Sequence, residues 1–198
     1  QVARIVREHR IPNSAIWTED WAGWGHIWRV NRRLYPDYEK LAQELKDMGF
    51  KFLGYFQPYI RPKDPLFKEA KEKGYLVVDE QGRPALFDVV FRKVAQIDLT
   101  NPKACQWWKE KIFAPALESG QDGWMADFSE YTPPWAVFAD GRSGWEVHNQ
   151  YPLLWAKINR EFFDEKRPDG DYVFFMRAGF TASQRYTPVI WTGDQNTS

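Results

Sequence analysis

The feature that most constrains this chain is a repeated change of period. Short unbroken apolar runs alternate with stretches in which apolar residues return every three or four positions. The runs are Ala15-Ile16-Trp17, Phe50 to Phe56, Gly123 to Asp127, Tyr172 to Met176 and Val189-Ile190-Trp191. Residues 37–48, residues 151–165 and a segment from Thr100-Asn101-Pro102 to Gly120 carry the helical spacing. Unbroken apolar strands separated by amphipathic helices imply parallel pairing, because neighbours running in the same sense need a helical crossover.

Punctuation residues sharpen the boundaries. Residues 1–10 look like an amphipathic helix that Pro12 ends. Tyr38, Leu41, Leu45 and Met48 share one face of the next helix, and Gly49 stands where a C-terminal cap belongs. Asp64-Pro65 is an N-cap followed by proline at the first helical position, with Gly74 closing that short helix. Residues 76–98 read as a small β excursion around a turn at Gln81-Gly82. Long loops are expected over Trp24 to Arg33 and Tyr131 to Gly144.

Two architectures fit such repeats: a (β/α)₈ TIM-type barrel and a doubly wound open sheet. No glycine-rich phosphate loop follows any strand, which weighs against a nucleotide-binding open sheet. In a barrel, active-site residues gather at the strand C-terminal ends. Here those ends carry Glu19 and Asp20, Gln57, Asp127, Arg177 and Asp194. About five of the eight strands are countable, so residues 1–198 are expected to be a partial catalytic barrel domain, truncated at both ends.

Composition narrows the chemistry. Acidic and basic residues balance at 27 each, which suggests neither nucleic acid nor an acidic surface as partner. No apolar run reaches the ~20 residues of a membrane helix. The single cysteine, Cys105, cannot form an internal disulfide and reads as a small buried hydrophobe, so a reducing, cytoplasmic location is expected. The three histidines lack metal-ligand spacing, so neither a metal nor a cofactor is expected. The 11 Trp, 9 Tyr and 14 Phe suit a large core, and some would suit a sugar site, where flat rings meet the C–H face of a pyranose.

Asp127 and Asp194 stand at equivalent strand ends, two strands apart. Glycoside hydrolysis needs one carboxyl group as acid and a second as nucleophile or base, and neighbouring barrel mouths can bring two within the ~5–5.5 Å of a retaining mechanism. Arg177 could pair with either carboxylate and hold it ionised. Each aspartate could equally be a strand-end cap or a turn residue, and Arg177 a simple ion-pair partner.

Trp124-Met125-Ala126-Asp127-Phe128-Ser129-Glu130 resembles the nucleophile motif of glycoside hydrolase family 31, the retaining α-glucosidases, α-xylosidases and relatives. Phe175-Met176-Arg177-Ala178-Gly179, Ser183-Gln184-Arg185-Tyr186 and Trp191-Thr192-Gly193-Asp194-Gln195-Asn196 resemble its acid/base region, and the likeness runs along the whole chain. The resemblance implies Asp127 as nucleophile, Asp194 as general acid/base, and Arg177 against the sugar or the carboxylates. Glu19, Gln57, Trp17, Trp28, Trp191 and His148 are the further candidates for the substrate site. Within the family the motifs are most similar to the sulfoquinovosidase branch, with three departures. Ser129 replaces a glycine, Glu19 replaces a glutamine, and Gly25 falls where that branch carries its sulfonate-binding arginine if Trp28 is the tryptophan three residues on.

The expectation is therefore a retaining α-glycosidase acting on a terminal α-hexoside, with a small carbohydrate as its only expected ligand. A sulfoquinovosidase, a transglycosylase and a non-catalytic sugar-binding or inactive barrel fragment are the alternatives.

Overall fold

A computed structural model describes residues 1–23, 28–90 and 92–194. The first helix, α1 (Val2–Glu8), leads to β1 (Ala15–Trp17), and α2 (Tyr38–Asp47) leads to β2 (Lys51–Phe56). Then come β3 (Tyr59–Ile60), α3 (Pro65–Glu72), β4 (Leu86–Val89) and β5 (Arg92–Gln96). The helices α4 (Pro102–Trp108) and α5 (Ala114–Glu118) precede β6 (Gly123–Ala126), α6 (Gly144–Val147) and α7 (Tyr151–Lys166) precede β7 (Val173–Met176), and β8 (Val189–Ile190) follows. One sheet runs β1-β2-β6-β7-β8 with every adjacent pair parallel, the arc of a (β/α)₈ barrel. Between β2 and β6 the chain inserts a three-stranded antiparallel sheet, β3-β5-β4.

Local chemistry sets the helix ends. The Asp64 carboxylate accepts the Leu66 N–H at 2.8 Å and the Asn101 side chain accepts the Lys103 N–H at 3.0 Å, each with proline at the first helical position. Gly49 closes α2 at φ +76°, a conformation costly for residues with a Cβ. The helix expected from Asn101 to Gly120 is interrupted. Pro115 has no N–H to give the Lys111 carbonyl, and the turn over Lys109–Phe113 widens so that the Ala114 N–H reaches the Lys109 carbonyl.

Strand alternation sends one set of side chains to the helices and the other to the concave face. On the helix side, Trp124 meets Phe56 at 4.9 Å, Phe113 at 4.8 Å and Phe163 at 4.4 Å between ring centroids. Its indole N–H donates to Asn159 Oδ1 at 2.6 Å, so the polar atom of Trp124 itself is satisfied. Much of the aromatic excess is this packing. Gly123 starts β6 because β7 comes close: a Cβ there would lie 1.8 Å from the Val173 carbonyl oxygen.

Candidate active site

The same alternation aims Glu19, Tyr55, Gln57, Asp127 and Arg177 to the concave side, at the C-terminal ends of β1, β2, β6 and β7. With Asp194, just past β8, they line one cleft of about 370 Å³.

Asp127 sits at its floor, 4% exposed, its backbone N–H donating to the Phe56 carbonyl at 2.8 Å. The Tyr55 hydroxyl donates to Asp127 Oδ2 at 2.5 Å and accepts from Gln57 Nε2 at 2.5 Å. Arg177 Nε lies 3.3 Å from Asp127 Oδ1, yet no hydrogen bond forms there and Oδ1 keeps its lone pairs unengaged among the described residues. Arg177 is instead anchored by Glu130, whose Oε1 accepts from Nε at 2.9 Å and Nη2 at 2.5 Å, and its guanidinium lies 4.0 Å from the centre of the Phe128 ring. One oxygen of Asp127 is thus held and the other is left available beside a cation.

Burial pushes the Asp127 carboxyl above the ordinary aspartate value, opposed by the Tyr55 hydrogen bond and then by the Arg177 charge. Tyr55 is raised far above its usual phenol value by burial and by the Asp127 charge, so it stays a proton donor. Glu19 is raised by burial and then by the charges of Asp127, Asp194 and Asp20.

The chain bends sharply after the strand. Phe128 and Ser129 have φ of +59° and +86°, and this turn brings Glu130 back onto Arg177. Ser129 is fully buried in a conformation that favours glycine, and its Oγ finds no hydrogen-bond partner among the described residues. Glu130 thereby ties the loop after Asp127 to the end of β7 through Arg177.

Four expected substrate contacts fall elsewhere. Trp28 is 2% exposed, donates from Nε1 to the Tyr59 carbonyl at 3.1 Å and packs 5.2 Å from Phe56, which places it among the rings on the helix side of β2 and outside the cleft lining. Trp17 and Trp191 flank the Phe175 ring at 6.1 and 5.5 Å, on the concave face but outside the cleft lining. His148 lines an adjoining depression with Arg177 and Asp194, its Nδ1 2.6 Å from the Thr132 carbonyl oxygen. Gly25, Gln195 and Asn196 lie outside the described residues. Tyr55 was missed as a site residue, although its position two residues before Gln57 on one strand already put both side chains on one face.

Comparison with known proteins decides the family. Residues 1–198 match the family description "Glycosyl hydrolases family 31 TIM-barrel domain". This chain belongs to glycoside hydrolase family 31. It is 38% identical to the sulfoquinovosidase of Agrobacterium fabrum, covering 92% of this chain and 29% of that protein. It is 32% identical to α-xylosidase XylQ of Lactiplantibacillus pentosus, covering 95% of this chain and 25% of the relative. A solved family 31 sulfoquinovosidase from E. rectale, in complex with an aza-sugar inhibitor, superposes with a TM-score of 0.91 at 39% identity, over 98% of this chain and 31% of that one. The chain therefore spans under a third of the length of these relatives, which are glycoside hydrolases.

Proposed function

We propose that the protein containing this chain is a retaining α-glycoside hydrolase acting on a non-reducing terminal α-hexoside. Asp127 attacks the anomeric carbon through Oδ1, the oxygen that no donor among the described residues occupies, while Tyr55 fixes Oδ2. Asp194 gives its proton to the departing glycosidic oxygen. That step leaves the sugar esterified to Asp127, and Asp194 then takes a proton from the water that releases it. Arg177 holds Asp127 ionised for the first step and compensates the carboxylate freed in the second. Glu19 borders the carboxylate pair and accepts hydrogen bonds from hydroxyls of the sugar.

The observation that carries this reading is that Asp127, Asp194, Arg177 and Glu19 line one cleft at the strand mouths. A sulfoquinovoside is the second reading, favoured by the likeness to two sulfoquinovosidases. Screening the intact protein on neutral and 6-sulfonated aryl α-hexosides, with the anomer of the first product followed by NMR, tests both. Product with the α configuration supports retention. Turnover by Asp127→Asn near the wild-type rate rejects the assignment.

A further inference from the structure

The inserted sheet adds two cations to the cleft that the reaction does not use. Arg61 and Arg92 both line it, together with Val89 and Val94. Strand register explains why they face the same way. Ile60 pairs with Ala95, so Arg61, one step on, comes opposite Val94, and Arg92 is two residues from Val94 on the same strand. In antiparallel pairs, positions related in this way share a face as diagonal neighbours about 7–8 Å apart. Both side chains are partly buried, and Arg92 makes no ion pair or hydrogen bond with a described residue. A guanidinium turned into a cleft walled by valines is poorly hydrated, a cost that a bound anion offsets.

Charge is divided across the cleft. Glu19, Asp127 and Asp194 occupy the strand-mouth side, with Arg177 committed to Asp127 and Glu130, while Arg61 and Arg92 occupy the inserted-sheet side. An anionic group would be repelled by the carboxylates and attracted to the opposite wall.

We propose that Arg61 and Arg92 form a subsite for an anionic substituent of the substrate, a sulfonate, sulfate, phosphate or carboxylate, carried either by the sugar or by the leaving group. The inference rests on the glycosidase reading, and it assigns substrate selection to the inserted β3-β5-β4 sheet. Planar guanidinium forks suit such oxyanions, and each charge-assisted contact corresponds to about 10- to 100-fold in affinity.

Three aryl α-hexosides separate the cases: a neutral one, one with a sulfonate at sugar C6, and one with a sulfonate on the aryl ring. Dividing each charged substrate's kcat/KM by that of the neutral one cancels general losses. In the intact protein, the double variant Arg61→Gln/Arg92→Gln is expected to lower one of these ratios about 10- to 100-fold, and the ratio that falls names the group that carries the charge. Both ratios within threefold of wild type would overturn the subsite. If the variant does not fold, the wild-type ratio decides: it should drop as salt rises from about 0.05 to 0.5 M, and a salt-independent ratio rejects the idea. If none of the three is turned over, the glycosidase reading fails. Calorimetric binding of the same three compounds to wild type and to Arg92→Gln then judges the subsite separately, by the same ratio.

Discussion

Replacing Tyr55 by Phe removes one oxygen from the cleft floor and leaves the ring in place. Two contacts go with it, the donation to Asp127 Oδ2 and the acceptance from Gln57 Nε2, both 2.5 Å long. A hydrogen bond to a charged group is worth about 1.5–3 kcal/mol, which corresponds to roughly 10- to 100-fold in rate when its geometry is needed for attack. The pH effect has a definite sign. Only ionised Asp127 attacks, so activity is lost as pH falls through its folded-state value. That value is already raised by burial, and the Tyr55 hydrogen bond lowers it. Without the hydroxyl the acid limb of kcat/KM must move to higher pH. Profiles of kcat/KM against pH for wild type and Tyr55→Phe, with circular dichroism to confirm folding, measure both effects. An unmoved acid limb with a plateau within threefold of wild type would refute the role given to Tyr55.

Arg177→Met strips Asp127 and Glu130 of their shared cation and should cost on the order of 2 kcal/mol in urea unfolding, less than a fully buried pair because the Arg177 side chain is 18% exposed; its acid limb should also rise. Ser129→Gly relieves φ +86° and removes a buried hydroxyl that has no partner among the described residues, so it should stabilise by about 1 kcal/mol, and a lowered unfolding midpoint would contradict that strain. Trp124→Ala empties the centre of the aromatic layer and orphans Asn159 Oδ1, so about 3–5 kcal/mol should be lost in the same assay; a loss under 1 kcal/mol would mean the layer repacks freely.

The parallel sheet was legible because its strands are unbroken apolar runs and the helices between them keep a 3.6-residue period. Strand ends were legible for the same reason, since polarity returns abruptly at Glu19, Gln57, Asp127, Arg177 and Asp194. The inserted sheet was only half visible. Tyr59-Ile60 is two residues long and follows Pro58 directly, so nothing in its period distinguishes a strand from the tail of β2. The widened turn at Lys109–Phe113 depends on one missing donor at Pro115 within an otherwise good helical pattern. Tryptophans were the weakest guide. Trp28 and Trp124 have the composition of a sugar wall, but each indole N–H is used by a buried acceptor, the Tyr59 carbonyl and Asn159, and burial of that kind is set by tertiary packing. The contact between Arg177 and Glu130 likewise depends on the left-handed turn at Phe128-Ser129, which a sequence with serine in place of glycine does not announce.

The central claim is that Asp127 becomes covalently attached to the sugar. Incubating the intact protein with a fluorinated α-hexosyl fluoride, chosen to slow hydrolysis of the glycosyl ester, followed by peptide mass mapping, tests it directly. One sugar should be found on the peptide containing Asp127, and the adduct should disappear in Asp127→Asn. A sugar attached to another residue, or continued turnover with inverted product and no adduct, would contradict the account.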